Sequence, residues 1–179
     1  MLRDILVDRP RILFVGINPG LRSAALGHHF AGPGNPFWRL LHAARLLPEL
    51  LRPDEDHRLA EFGLALTNLC PRASRSASEL DGEELARGAR ALRRKVARLR
   101  PGVLALVGVT LYGRLFPSSE ERGAGARADV IHGARLFVLP NPSGLNASYP
   151  GFEQKLVWFE RLREFVEQHG QDMSGTSSA

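Results

Sequence analysis

Apolar residues in this chain follow two rhythms. Four short apolar runs, RILFVGI (residues 11–17), LALT (64–67), VLALV (103–107) and LFVL (136–139), each end at asparagine, glycine or proline. Their length and branched side chains predict strands buried on both faces. The segments between them carry helical spacing. From Asp81 to Leu99, Leu85, Ala89, Leu92, Val96 and Leu99 draw one apolar stripe, with Arg87, Arg90, Arg93, Arg94, Lys95 and Arg98 on the other face. Phe152 to Val166 repeats the pattern through Leu156, Phe159 and Leu162. Phe37 to Leu47, with Pro36 tolerated in its first turn, Glu55 to Phe62, and the stretch from Gly108 to Phe116 read as shorter helices. Ser118 to Arg127, rich in charge and glycine, reads as a loop.

Short apolar strands alternating with amphipathic helices predict an α/β fold: a three-layer α/β/α sandwich around a short, mainly parallel sheet of four or five strands. With no repeat and no linker, the expectation is one domain over residues 1–169 and a flexible C-terminal tail over 170–179. In such sheets the ligand lies beyond the carboxyl ends of the strands. The loops to examine are therefore GINPG, TNLCPR, GVT and PNPSGLN.

Composition narrows the classes. A hydrophobic content of 44% argues against disorder, and the single cysteine, Cys70, rules out an internal disulfide or a multi-cysteine metal site. No apolar run is long enough to span a bilayer, and the N-terminus lacks the features of a signal peptide, so no membrane partner and a cytoplasmic location are expected. Lys and Arg outnumber Asp and Glu by 24 to 19, a net charge of +5 that favours a polyanionic partner without proving one.

The stretch GINPGLRSAALGHHFAGPGNPFW (16–38) holds the most suggestive chemistry, and no Asp or Glu occurs from Arg9 to Pro48. Asn18 sits just past a strand between Ile17 and Pro19, and proline restricts the residue before it, so its side chain is stiffly aimed. An amide can orient a water but cannot act as a base. Asn-Pro-Gly is also an ordinary turn tripeptide. Gly16 and Gly20 could open backbone N–H groups to an anion, although their spacing matches no nucleotide loop. Of His28 and His29, one is expected in a pocket and the other in solvent. Phe30 reads as a core aromatic or as a stacking platform. In PNPSGLN, Leu145 follows a stiffened turn and either folds onto the core or serves as a wedge between bases.

GINPG, then GHHFAGPGNPFW, then LPNPSGLN before a terminal helix, closely resembles the mismatch-specific uracil-DNA and thymine-DNA glycosylases of the uracil-DNA glycosylase superfamily, from about Ile5 to Val166. That resemblance implies a monofunctional enzyme that flips uracil, or thymine or another altered pyrimidine, out of a mismatch with guanine. It then hydrolyses the N-glycosidic bond and leaves an abasic site for base excision repair, with no metal or organic cofactor. The implied partner is double-stranded DNA with a U·G or T·G mismatch, met by a monomer associated with the nucleoid when on DNA. Asn18 would position the attacking water. Gly16, Ile17, Ser23, His29, Phe30 and Asn68 would form the base pocket. Gly144, Leu145 and Asn146 would fill the vacated stack and read the widowed guanine, while Gly20, Gly108 and Ser143 would contact phosphates. The chain departs from the family pattern at Leu69-Cys70-Pro71-Arg72-Ala73, and at Val109 where Lys is common. Two other readings compete: a mismatch- or damage-recognising DNA-binding module with little turnover, and a nucleotide-binding α/β protein.

Overall fold

The computed structural model of the chain describes residues 2–143 and 147–175, with the backbone alone described over 170–175. The four apolar runs become β1 (Ile12–Gly16), β2 (Leu64–Asn68), β3 (Val103–Val107) and, counting one further strand before it, β5 (Ala134–Leu139). The further strand, β4 (Gly125–Ile131), lies in a stretch whose first residues read as loop. Its polar residues alternate with small ones, and it runs antiparallel to β5 on the sheet edge, half exposed. The sheet order is β2-β1-β3-β5-β4, with β2, β1, β3 and β5 parallel. The expected α/β sandwich with a mainly parallel sheet is what forms.

Strand alternation sorts the core into two layers. Ile12, Phe14, Leu64, Leu66, Val103, Ala105, Phe137 and Leu139 point to one face, where they meet Phe37, Leu40, Leu41, Phe159 and Leu162. Those partners belong to α2 (Phe37–Ala43) and α5 (Phe152–Gly175). Leu13, Val15, Leu104, Leu106, Leu136 and Val138 point to the other, against α3 (Gly82–Leu99) and α4 (Val109–Leu115). On α3 the buried residues are Leu85, Gly88, Leu92, Val96 and Leu99, close to the predicted stripe. The basic face differs at Lys95, which turns inward and donates to Thr67 Oγ1 (2.6 Å) and Asp4 (2.5 Å).

Other boundaries shift for local reasons. A short helix, α1 (Leu21–Leu26), forms inside the glycine-rich stretch, and Gly27 ends it in the left-handed region (φ 76°). Pro53–Phe62 winds as 3₁₀ turns rather than an α-helix. The final helix runs past Val166 to Gly175, so the expected tail begins as helix. No helix among the described residues is long and apolar enough to cross a membrane.

Candidate active site

Because β2 leaves β1 on one side and β3 lies on the other, the chain reverses its winding direction at β1, and the loops after these strands diverge. Such a switch point opens a crevice at the carboxyl ends of the strands. A cavity of about 380 Å³ occupies it. Gly16, Ile17, Asn18, Gly20, Ser23, His29, Phe30, Asn68, Gly108 and Ser143, scattered along the sequence, all line this space. Gly144, Leu145 and Asn146, the expected wedge and guanine readers, lie outside the described residues.

The parallel pairing of β1 and β2 continues into their loops. Leu69 N–H donates to Gly16 C=O and Cys70 N–H to Ile17 C=O, both at 2.8 Å, so GINPG and NLC leave the sheet side by side. Gly16 faces Asn68 in register. A Cβ on Gly16 would sit 2.5 Å from Asn68 Oδ1, so the glycine is what lets the Asn68 amide lie across the strand end. Asn68 is half-buried, and its amide makes no hydrogen bond to protein among the described residues.

Asn18 is the most firmly held side chain in the cavity. Its Nδ2 donates to Ser74 Oγ (2.7 Å), with Arg72 C=O (3.0 Å) and Pro19 C=O (3.3 Å) also in reach. Carbonyls only accept, so the NH₂ end must face them. Oδ1 is left as the end of the amide without a protein partner among the described residues. The lining carries Arg22 and Arg75 but no Asp or Glu among those residues. Asn18 therefore presents an uncharged acceptor in an acid-free pocket.

His29 and Phe30 contribute another part of the lining. His29 is buried and donates from Nε2 to Arg3 C=O (2.8 Å), which leaves Nδ1 as the acceptor of a neutral ring. Burial pushes its pKa below 6.5, against the opposing pull of the Arg3 carbonyl. His29 N–H donates to Asp56 Oδ2 (2.9 Å), and His28 Nδ1 approaches the other oxygen of that carboxylate at 3.3 Å. His28 thus leans on a buried acid and is only partly in solvent, where a solvent-facing ring was expected. Trp38 donates to His29 C=O (3.1 Å) and Ala31 N–H to the buried Ser23 Oγ (3.0 Å).

Held at both sides, Phe30 takes a left-handed backbone (φ 51°), which is strained for a residue with a Cβ. One ring face stacks on Phe37 at 3.8 Å and 22°, while the residue also borders the cavity. Phe30 thus packs on the core residue Phe37 and also lines the cavity. Its N–H has no partner among the described residues. Asn35, left without a role by sequence reasoning, accepts from the N–H of Phe37, the first residue of α2 (3.0 Å).

The phosphate-contact expectations divide. Gly20 is exposed on the cavity rim and has no atom within 4 Å of where a Cβ would be. Gly108 N–H already donates to Leu139 C=O (2.9 Å), so this glycine offers close approach and no free donor. Ser143 N–H likewise donates to Asn141 Oδ1 (2.9 Å), and its carbonyl accepts from the buried Lys155 (3.3 Å). Cys70 is buried against α3, and burial raises its thiol pKa, as befits a packing residue.

Sequence reasoning did not find Ser74, Arg72 or Asp56 as parts of this site. Ser74 is one of three alternating serines in ASRSAS, and nothing local marks it. Arg72 contributes a carbonyl, which no residue type advertises. Asp56 reaches the site from the 3₁₀ segment, outside the acid-free stretch it serves. Among the described residues, no group of three or more His, Cys, Asp or Glu is placed to hold a metal ion.

The profile of the Uracil DNA glycosylase superfamily matches residues 4–163. The backbone is also similar to the solution NMR structure of a protein described as a "putative Uracil DNA glycosylase" from Methanosarcina acetivorans, with a TM-score of 0.65. Identity to that protein is 20%, over 92% of this chain and 96% of the other, a likeness of fold. By the profile match over most of its length, set on the sheet and crevice described above, the chain belongs to the uracil DNA glycosylase superfamily, whose members are DNA glycosylases.

Proposed function

We propose that this protein is a monofunctional glycosylase that removes uracil from duplex DNA, preferring uracil mispaired with guanine. The observation that carries the reading is the Asn18 amide, held by its nitrogen, with no protein partner for its oxygen and no carboxylate in the pocket lining among the described residues. A target base inside a duplex cannot be reached at C1′, so it must first be extruded, and a mispaired base costs less to extrude. The flipped ring would lie against Phe30, which lines the cavity and is itself stacked on Phe37.

As the C1′–N1 bond breaks, its electron pair leaves with the base and the sugar gains carbocation character. Water bound to Asn18 Oδ1 adds to C1′ and releases its proton to solvent. Preorganised donors lower the energy of the developing base anion, as in an oxyanion hole. Phe30 N–H and the Asn68 amide are the candidate donors, since neither has a protein partner among the described residues. A carboxylate here would repel both the anion and DNA phosphate. Preference for the mismatch rests on the resemblance of GHH, Thr67-Asn68 and PNPSGLN.

The test uses end-labelled duplexes with one U·G, U·A or T·G pair, followed by alkali. Strand cleavage only after alkali, fastest for U·G, is the expected result. Binding without abasic sites would favour a mismatch-recognition module instead.

A further inference from the structure

We infer that Ser74 is a positioning residue of this site: its hydroxyl makes the shortest of the three contacts that hold the Asn18 amide nitrogen, and so steadies the oxygen that meets the attacking water. The inference rests on the glycosylase reading of Asn18 given above. A hydroxyl has one proton to give and lone pairs to accept with. Ser74 Oγ–H donates to Ser76 C=O at 2.7 Å. Toward Asn18 it is therefore an acceptor, and its 2.7 Å contact is the shortest the amide makes.

The chain of bonds runs one way, from Asn18 Nδ2 to Ser74 Oγ to Ser76 C=O. A flipped amide would set Oδ1 against three acceptors, Ser74 Oγ and the carbonyls of Arg72 and Pro19. Only Ser74 holds a proton, and Ser76 already occupies it. Ser74 is itself fixed, being 4% exposed, with its N–H donating to Pro19 C=O (3.2 Å) and a parallel bridge to Gly20. The hydroxyl thus joins the β2 loop to the β1 loop at the nitrogen whose contacts aim the amide. Without it, Nδ2 keeps only the two longer contacts, to carbonyls that preserve the sense of the amide but hold it less closely, so Oδ1 aims less steadily at the water.

The experiment is single-turnover cleavage of a U·G duplex by the full chain, with Ser74→Ala, Ser74→Thr, Asn18→Ala and the Asn18→Ala/Ser74→Ala pair. The expected result for Ser74→Ala is a limiting rate about tenfold lower, with half-saturation moved by less than about twofold, the loss of one buried hydrogen bond to an already bound substrate. Ser74→Thr keeps the hydroxyl and restores the rate. In the Asn18→Ala background, removing Ser74 has no further effect, because Ser74 acts through the amide. Ser74→Cys, similar in volume and a weaker partner, replaces the alanine variant should that one fail to fold, and is expected to lose rate in the same sense. A parental rate in Ser74→Ala, a loss confined to half-saturation, failure of threonine to rescue, or an equal loss without Asn18 would each overturn the inference. A parent chain that releases no uracil would instead overturn the glycosylase reading beneath it.

Discussion

In the reaction proposed for Asn18, neutrality and orientation take the place that charge has in other hydrolytic sites. The amide cannot take a proton, so all it offers is an acceptor in a fixed place, and that place depends on what holds the other end. The same dependence applies at Asn68, whose amide lies over a residue with no side chain. Gly16→Ala sets a Cβ 2.5 Å from Asn68 Oδ1, at the movable end of a short side chain. The amide is expected to swing away while the strand stays in place. Cleavage of a U·G duplex should fall about tenfold or more, as misplaced polar groups do, with a melting temperature within about 3 °C of the parent. Unchanged cleavage would remove Asn68 from the base pocket.

Between elements, the decisive joint is the one fastening the loop after β2 to α3. Arg72 spans it with bonds to both Glu84 carboxylate oxygens (2.6 and 2.8 Å) and to Glu79 C=O (2.6 Å). The Arg72 guanidinium, with the Asp81 N–H, holds the Glu84 pKa at about 2 against an ordinary 4.5. A carboxylate so depressed stabilises the fold fully above its unfolded pKa, and the contribution is lost as pH falls through the folded value. The melting temperature of Glu84→Gln should therefore fall less steeply than that of the parent between pH 4.5 and about 2. Parallel curves would show that the joint carries no net stability, as exposed ion pairs often do not. One turn along α3, a Cβ on Gly88 would collide with the Leu69 carbonyl. Alanine is the better helix former by about 1 kcal/mol, yet Gly88→Ala is expected to destabilise by about 1–3 kcal/mol in denaturant titrations, because neither backbone can yield. A stabilised variant would show that α3 is free to move outward.

What the sequence exposed of these elements follows from their burial. The strands covered on both faces had to be apolar throughout, and so stood out. β4 is an edge strand with one half-wet face, and α1 is a single turn and a half among glycines, so neither develops a readable period. The place of Asn18 at the cavity was legible because it ends an apolar run and Pro19 and Gly20 follow it. Ser74 and Asp56 were not, since their roles arise from contacts 56 and 27 residues away.

For the whole molecule, the reversal of winding at β1 gathers loops from four strand ends around one cavity, whose lining among the described residues holds no Asp or Glu. With a net charge of +5, duplex binding is expected to draw on Arg–phosphate contacts that release counterions. The logarithm of affinity should fall linearly with that of salt concentration, with a slope corresponding to several phosphates. A flat response would contradict the electrostatic part of this account. The central claim, that a neutral amide directs water at the sugar of a flipped uracil, is tested most directly by comparing the parent with Asn18→Ala on a single U·G duplex. Alkali-labile sites that form about 100-fold or more slowly in the variant, with duplex affinity preserved, are the predicted result; equal rates in the two proteins would contradict it.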